Sequence, residues 1–195
     1  DGAKQTLTRE LAALADALPS LNDWQSPPDF KAILPVNGLH ARVFQTQAAI
    51  WRAAGLPALS VARAGPWDSL PLVGLPRHEE APTLTVDLMQ NEYRAAAFNL
   101  SSAAAESLVL RLQLDGLPGG RNPPWITVHP VEWTDTRQGQ PVAAALPLAP
   151  REGAAFRISV HPGLTRQVWL TVHPTNVPAG RHEGRLRLEG PSRTA

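Results

Sequence analysis

The chain has 195 residues with 20 Pro, 14 Gly and no Cys, and 18 Lys or Arg against 17 Asp or Glu give a net charge of +1. A hydrophobic share of 43% with only 18% charged residues excludes a disordered polyampholyte. The lack of Cys excludes a disulfide scaffold, a cysteine nucleophile and thiolate metal sites. No apolar run approaches the ~20 residues that span a bilayer, so no membrane span is expected. The near-neutral charge gives no electrostatic footprint for nucleic acid. The first residues, Asp1-Gly2-Ala3-Lys4, lack the apolar stretch of a signal peptide, which fits a cytosolic, a mature secreted or a trimmed chain alike.

Proline breaks helix interiors and cannot donate to a ladder, so the Pro-free intervals show where regular structure can lie. In the first interval, Leu7, Leu11, Leu14 and Leu18 recur at spacings of four, three and four, predicting an amphipathic helix closed by Pro19. A second helix is predicted over 39–54, with Leu39, Val43, Gln47, Ile50 and Ala54 on one side and Gly55 as its stop. Loops with five prolines come next, with room for one short strand at 58–62. Residues 1–81 therefore read as a helical and loop-rich extension packed on the remainder of the chain.

After Pro82 the period changes to two. Thr83-Leu84-Thr85-Val86-Asp87-Leu88, Leu108-Val109-Leu110-Arg111-Leu112-Gln113-Leu114 and Arg185-Leu186-Arg187-Leu188-Glu189 alternate apolar and polar residues. Such alternation marks strands with one face on a core and one toward water. Further strands are expected at 93–101, 125–133, 156–161 and 166–173. Seven or eight strands at short spacing, without helical crossovers, predict a mainly β protein: an antiparallel, immunoglobulin-like β-sandwich over 82–190, with 191–195 as a tail or linker.

The clearest repetition is Trp125-Ile126-Thr127-Val128-His129-Pro130 against Trp169-Leu170-Thr171-Val172-His173-Pro174, with a shorter echo at Ile158-Ser159-Val160-His161-Pro162. On a strand, Trp, Thr and His of each copy share one face. Trp125, His129, Trp169 and His173 are thus candidates for a surface that stacks on sugar rings or docks another domain. The alternative is that the Trp rings are buried and that His-Pro simply ends each strand, since Pro holds its predecessor extended. A metal site from His129, His161 and His173 has no supporting spacing, and no metal or other cofactor is expected. Asp87, Glu92, Asp115, Glu132 and Asp135 supply carboxylates, but turns and solvated strand faces account for them, so no catalytic residue is assigned. No phosphate-binding loop or nucleophile elbow is present. Arg181, Arg185 and Arg187 form a basic edge interrupted by Glu183 and Glu189, suited to protecting an edge strand from pairing.

From Arg166-Gln167-Val168-Trp169 through Thr175-Asn176-Val177-Pro178-Ala179-Gly180 to Gly184-Arg185-Leu186-Arg187-Leu188, the chain resembles a known pattern. It is similar to the N-terminal β-sandwich of bacterial secreted glycoside-hydrolase-like proteins, glycoside hydrolase family 123 among them. Asn91-Glu92-Tyr93 and Leu146-Pro147 resemble further positions of that pattern. His182, where Tyr is more frequent, and His173, where Val is usual, depart from it. The resemblance, over about 82–190, implies a non-catalytic accessory module that packs on a following catalytic domain or contacts a polysaccharide. A barrel of roughly 250 residues that would carry catalytic acids does not fit in this chain. It also implies a secreted, periplasmic or cell-surface location. A structural or adhesive protein-interaction domain without a sugar role is the alternative. A self-contained glycoside hydrolase, with Glu92 and Glu132 meeting in a cleft, is the third.

Overall fold

The computed structural model describes residues 2–190, apart from Trp24 and Ser26. The tail expected at 191–195 lies outside the described residues. Two helices, α1 (Gly2–Ala17) and α2 (Gly38–Ala53), flank a short 3-10 turn at Leu18–Asp23. Ten strands complete the described residues: β1 (Leu59–Ala64), β2 (Arg94–Ser102), β3 (Leu108–Asp115), β4 (Ile126–Pro130), β5 (Glu132–Thr134), β6 (Val142–Ala145), β7 (Arg151–Glu152), β8 (Ala155–Val160), β9 (Thr165–Val172) and β10 (Arg185–Glu189). The protein is mainly β, as the alternating segments predict.

The strands form two four-stranded sheets, ordered β1-β2-β9-β4 and β10-β3-β8-β7, and a separate β5-β6 ribbon. All ladders between these strands are antiparallel and none closes into a barrel. The inward residues of both sheets share one core, with Leu100, Leu110, Leu112, Val128, Ile158 and Val168 each at most 2% exposed. Burying such side chains contributes about 1.5–3 kcal/mol each, which is the principal drive to close the sheets face to face. Edge strand β10 turns Arg185, Arg187 and Glu189 outward, and Arg187 lies 3.5 Å from Asp115. Charged side chains on this edge disfavour pairing with another chain.

Two expectations are corrected. Residues 83–88 form no strand, although Leu84, Val86 and Leu88 do pack against the core. Alternation reports which side chains face inward, and packing alone meets that requirement here without a ladder. The 125–133 segment divides at Val131, whose N–H bonds Gln167 O at 2.8 Å, so β5 leaves the sheet and pairs with β6. β1 pairs with β2 along its whole length, so the first sheet includes residues on the N-terminal side of Pro82.

Helix α2 packs against Leu34, Trp133 of β5 and the turn from β8 to β9. Asn37 caps α2, its Oδ1 accepting from His40 N at 2.9 Å, and Gly55 ends the helix at φ +85°. The buried face of α2 is Phe44, Ala48 and Trp51, while Val43 and Ile50 are about 40% exposed (39% and 42%). The predicted stripe is thus rotated by about one residue, because burying the two aromatic rings removes more apolar surface than burying Val43 and Ile50. Phe44 joins Leu34, Trp133 and Leu164 in a second, smaller core. Polar clamps complete the seat. Gln47 Nε2 donates to Leu72 O and Gly163 O, and Trp51 Nε1 donates to Gly74 O at 2.8 Å. Helix α1 lies against α2 and is tied to it by Glu10–Arg42 at 2.9 Å. Of its leucine stripe only Leu14 is buried, and Leu11 is 51% exposed.

Candidate functional site

β9 pairs with β2 on one side and β4 on the other, and this register builds the site. Thr171 stands between Ala95 and Thr127, and Trp169 between Ala97 and His129. Because Val128, Leu170 and Val172 fill the core, Trp169 and the Thr and His of both repeats face outward, while the half-buried Trp125 also packs against the edge of that core. The alanines on β2 keep that face low beside the two larger rows.

At the end of the sheet a groove of about 460 Å³ opens. Its walls include Tyr93, Trp125 and His173, and Thr127, Thr171 and Asn176 supply polar groups. Tyr93 stacks on His173 with ring centroids 3.6 Å apart and planes inclined by 11°. One face of the Tyr93 ring is covered by that contact, while the residue as a whole remains 68% exposed. His173 Nε2 donates to Asn91 Oδ1 at 3.0 Å, which fixes the ring and its tautomer. Three bonds tie the surrounding segments together: His173 N to Trp125 O at 2.8 Å, Asn91 N to Pro174 O at 2.8 Å, and Gln90 Nε2 to Thr175 O at 3.1 Å. Asn91 has φ +64°, a conformation that Asn tolerates better than most residues and that turns the chain into β2.

Trp125 is half-buried at the rim. Its indole N–H is already bonded to Pro118 O at 2.8 Å, so it offers the groove an apolar ring rather than a donor. None of the eleven lining residues is Asp, Glu, Lys or Arg. Glu92 and Arg94, flanking Tyr93, neutralise each other at 2.7 Å. The groove is therefore aromatic, polar and uncharged.

The predicted set divides in two. Trp125 and His173 meet in the groove, whereas the His129–Trp169 pair lies two same-face steps further along, beyond the Thr127–Thr171 pair. His129 places Nδ1 3.2 Å from Leu146 O and Nε2 3.2 Å from Thr127 Oγ1. Trp169 meets the edge of Trp67 with centroids 5.1 Å apart at 87°. Sequence reasoning missed Tyr93 and Trp67 as site residues. Tyr93 is the chain's single Tyr, directly after an Asn-Glu turn, and Trp67 comes after Gly65-Pro66 in a loop. An aromatic residue in turn chemistry is the signal each one carries.

His161 lies just past β8 in the other sheet and stands edge-on to Phe44 with centroids 6.4 Å apart. Among the described residues, no group of three or more His, Asp or Glu side chains is arranged to hold a metal ion. Asp87 is exposed, and the other candidate carboxylates have structural partners. Asp115 pairs with Arg121, Asp135 accepts from Thr136 N, and Glu132 pairs with Arg166 at 2.6 Å. Glu92 and Glu132 sit toward opposite ends of β9, beside the neighbours of Val172 and at Arg166 respectively. Six residues of strand separate those ends, about 20 Å at ~3.3 Å per residue. Glycosidase pairs need about 5–9.5 Å.

No family model and no curated protein matches the chain. Among solved structures, it is similar to a family 123 glycoside hydrolase from Clostridium perfringens, studied for glycolipid glycan hydrolysis, with a TM-score of 0.43 and 10% identity. The match covers 70% of this chain and 25% of that one.

Proposed function

We propose that this chain is a non-catalytic β-sandwich module that contacts carbohydrate, as an accessory part of a larger carbohydrate-active protein. The observation that carries the sugar contact is the uncharged groove in which the stacked Tyr93–His173 pair faces Trp125. A sugar ring presents an apolar C–H face rimmed by hydroxyls. Aromatic rings match the first, and the Thr127, Thr171 and Asn176 side chains match the second. The separation of Glu92 from Glu132 supports a binding role over hydrolysis by that pair. The accessory role and a location outside the cytoplasm are proposed from the sequence resemblance.

A glycan array, followed by titration calorimetry on the best ligand, tests the sugar contact. Tyr93→Ala is expected to weaken binding about tenfold or more, since buried aromatic anchors dominate such contacts. Because Tyr93 is largely exposed in the free protein, its thermal unfolding is expected to stay near that of wild type. A wild-type protein that binds no glycan sinks the proposal. The competing reading is protein docking on the same face, favoured by Leu146 and Leu148, which are 45% and 68% exposed beside β4.

A further inference from the structure

We infer that the ligand is an extended, neutral polysaccharide chain laid along β9, and that Trp67 supplies a second stacking platform beyond the groove. This rests on the proposed sugar-binding groove and adds the ligand's shape, its charge class and an unassigned binding residue. Trp67 is 89% exposed, the most exposed of the large apolar side chains among the described residues. An exposed Trp forgoes about 1.5–3 kcal/mol of burial, so its placement calls for a reason. It is not on a loose tip. Gly65 N donates to Asp68 Oδ2 at 2.6 Å, Asp68 N donates to Gly65 O at 3.1 Å, and Gln167 Nε2 reaches Gly65 O at 3.4 Å. The turn that carries Trp67 is thereby closed on itself and held to the sheet, and Trp169 supports the ring edge-on.

Trp169, which supports Trp67, lies in line with the groove along β9. His173 and Trp169 are four residues apart on the same face of the β9 segment, about 13 Å at ~3.3 Å per residue. Between them stands the Thr127–Thr171 cross-strand pair, which also lines the groove. Leu146 O at His129 Nδ1 marks that nitrogen as the protonated one, so Thr127 donates its hydroxyl proton to Nε2. The Thr127 oxygen therefore keeps a lone pair for an incoming donor. The strip reads aromatic, hydroxyl, aromatic. A polysaccharide with equatorial linkages repeats in the same way, with flat apolar ring faces edged by hydroxyls. The lining favours a neutral chain, since it offers no Lys or Arg to an anionic one. A proline-rich peptide would also meet aromatic rings here, and it therefore enters the test as the competing ligand.

Calorimetry with cellobiose, cellohexaose, chitobiose and chitohexaose, alongside a proline-rich peptide, tests this. Wild type is expected to bind one of the hexasaccharides more tightly than its disaccharide. Trp67→Ala should weaken hexasaccharide binding about tenfold while leaving the disaccharide unchanged, and Tyr93→Ala should weaken both. If Trp67→Ala leaves hexasaccharide binding intact while Tyr93→Ala weakens it, the second platform is wrong and the groove reading stands. If wild type binds none of the four sugars, or binds only the peptide, the groove reading falls and the extended ligand falls with it. Because Trp67 is exposed, its truncation is expected to leave the fold intact, and a thermal melt of the variant checks this directly.

Discussion

Gly163→Ala is expected to lower stability by about 3 kcal/mol, read as a shift of the urea midpoint. Gly163 sits in the turn from β8 to β9 at φ +68°, where an L side chain costs roughly 1–2 kcal/mol. Space adds to this. A Cβ there would run into the carbonyl oxygen of Phe44 and lie 2.7 Å from its carbonyl carbon and 3.0 Å from Ala48 N. These are backbone atoms of α2, which cannot rotate away as a side chain tip could. Overpacking of this kind costs about 1–3 kcal/mol. Relief would require α2 to lift, parting Phe44 from Trp133 and Leu164 and stretching the Gln47 bond to Gly163 O. Gly153 is the control: its φ is +59° but a Cβ there meets nothing within 4 Å. Gly153→Ala should therefore show the conformational part alone, about 1 kcal/mol. Equal losses for the two variants would mean that α2 does not rest on the turn.

Gly163 also marks where sequence reading stops. In β3, β8 and β10 the period-two pattern is local, so their strands and core faces are legible from neighbouring residues. That the Trp, Thr and His of each repeat share one face is legible for the same reason, but how far each ring is exposed is not. What the pattern lacks is the partner. Residues 83–88 alternate as strongly as β3 yet form no ladder, because a ladder depends on a free neighbouring edge and alternation does not. The face chosen by α2 depends on Gly163 and Trp133, more than 70 residues away in sequence. The groove combines Tyr93, Trp125 and His173 from three separated segments, and it exists because β9 is the shared neighbour of β2 and β4. Trp67 is held to the sheet by the Gln167 bond to Gly65 O and by its edge-on contact with Trp169. Each of these depends on contacts between distant segments, which periodicity does not encode.

Asn122→Ala is expected to be as damaging, at about 3–4 kcal/mol, and to reach the groove as well. Asn122 is buried at 7% exposure and satisfied on both ends of its amide. Its Oδ1 accepts from Leu114 N and its Nδ2 donates to Ala154 O, each at 2.7 Å, while its own N–H bonds Leu114 O at 2.8 Å. It thus joins the end of β3 to the β7–β8 turn. Truncation leaves a backbone N–H and a carbonyl without their partner, at about 1–3 kcal/mol for each group that stays dry. The φ of +48° adds a smaller cost, because Asn accepts that region more readily than Ala. Asn122→Gly removes the backbone cost but not the lost bonds, so it should be the milder variant by about 1 kcal/mol. The same loop supplies Pro118, Gly119, Pro124 and Trp125 to the groove wall. Trp125 keeps its position through Pro118 O, and Ile126 N bonds Pro123 O at 3.0 Å, so both anchors flank Asn122 in sequence. Once the Asn122 amide no longer pins the loop, the wall facing Tyr93 loses its fixed distance from the Tyr93–His173 stack. Sugar affinity should then fall in Asn122→Ala at temperatures where the protein is still folded. Retained affinity with reduced stability would assign the Asn122 amide to the fold alone, and the groove wall to Trp125 and its bond to Pro118.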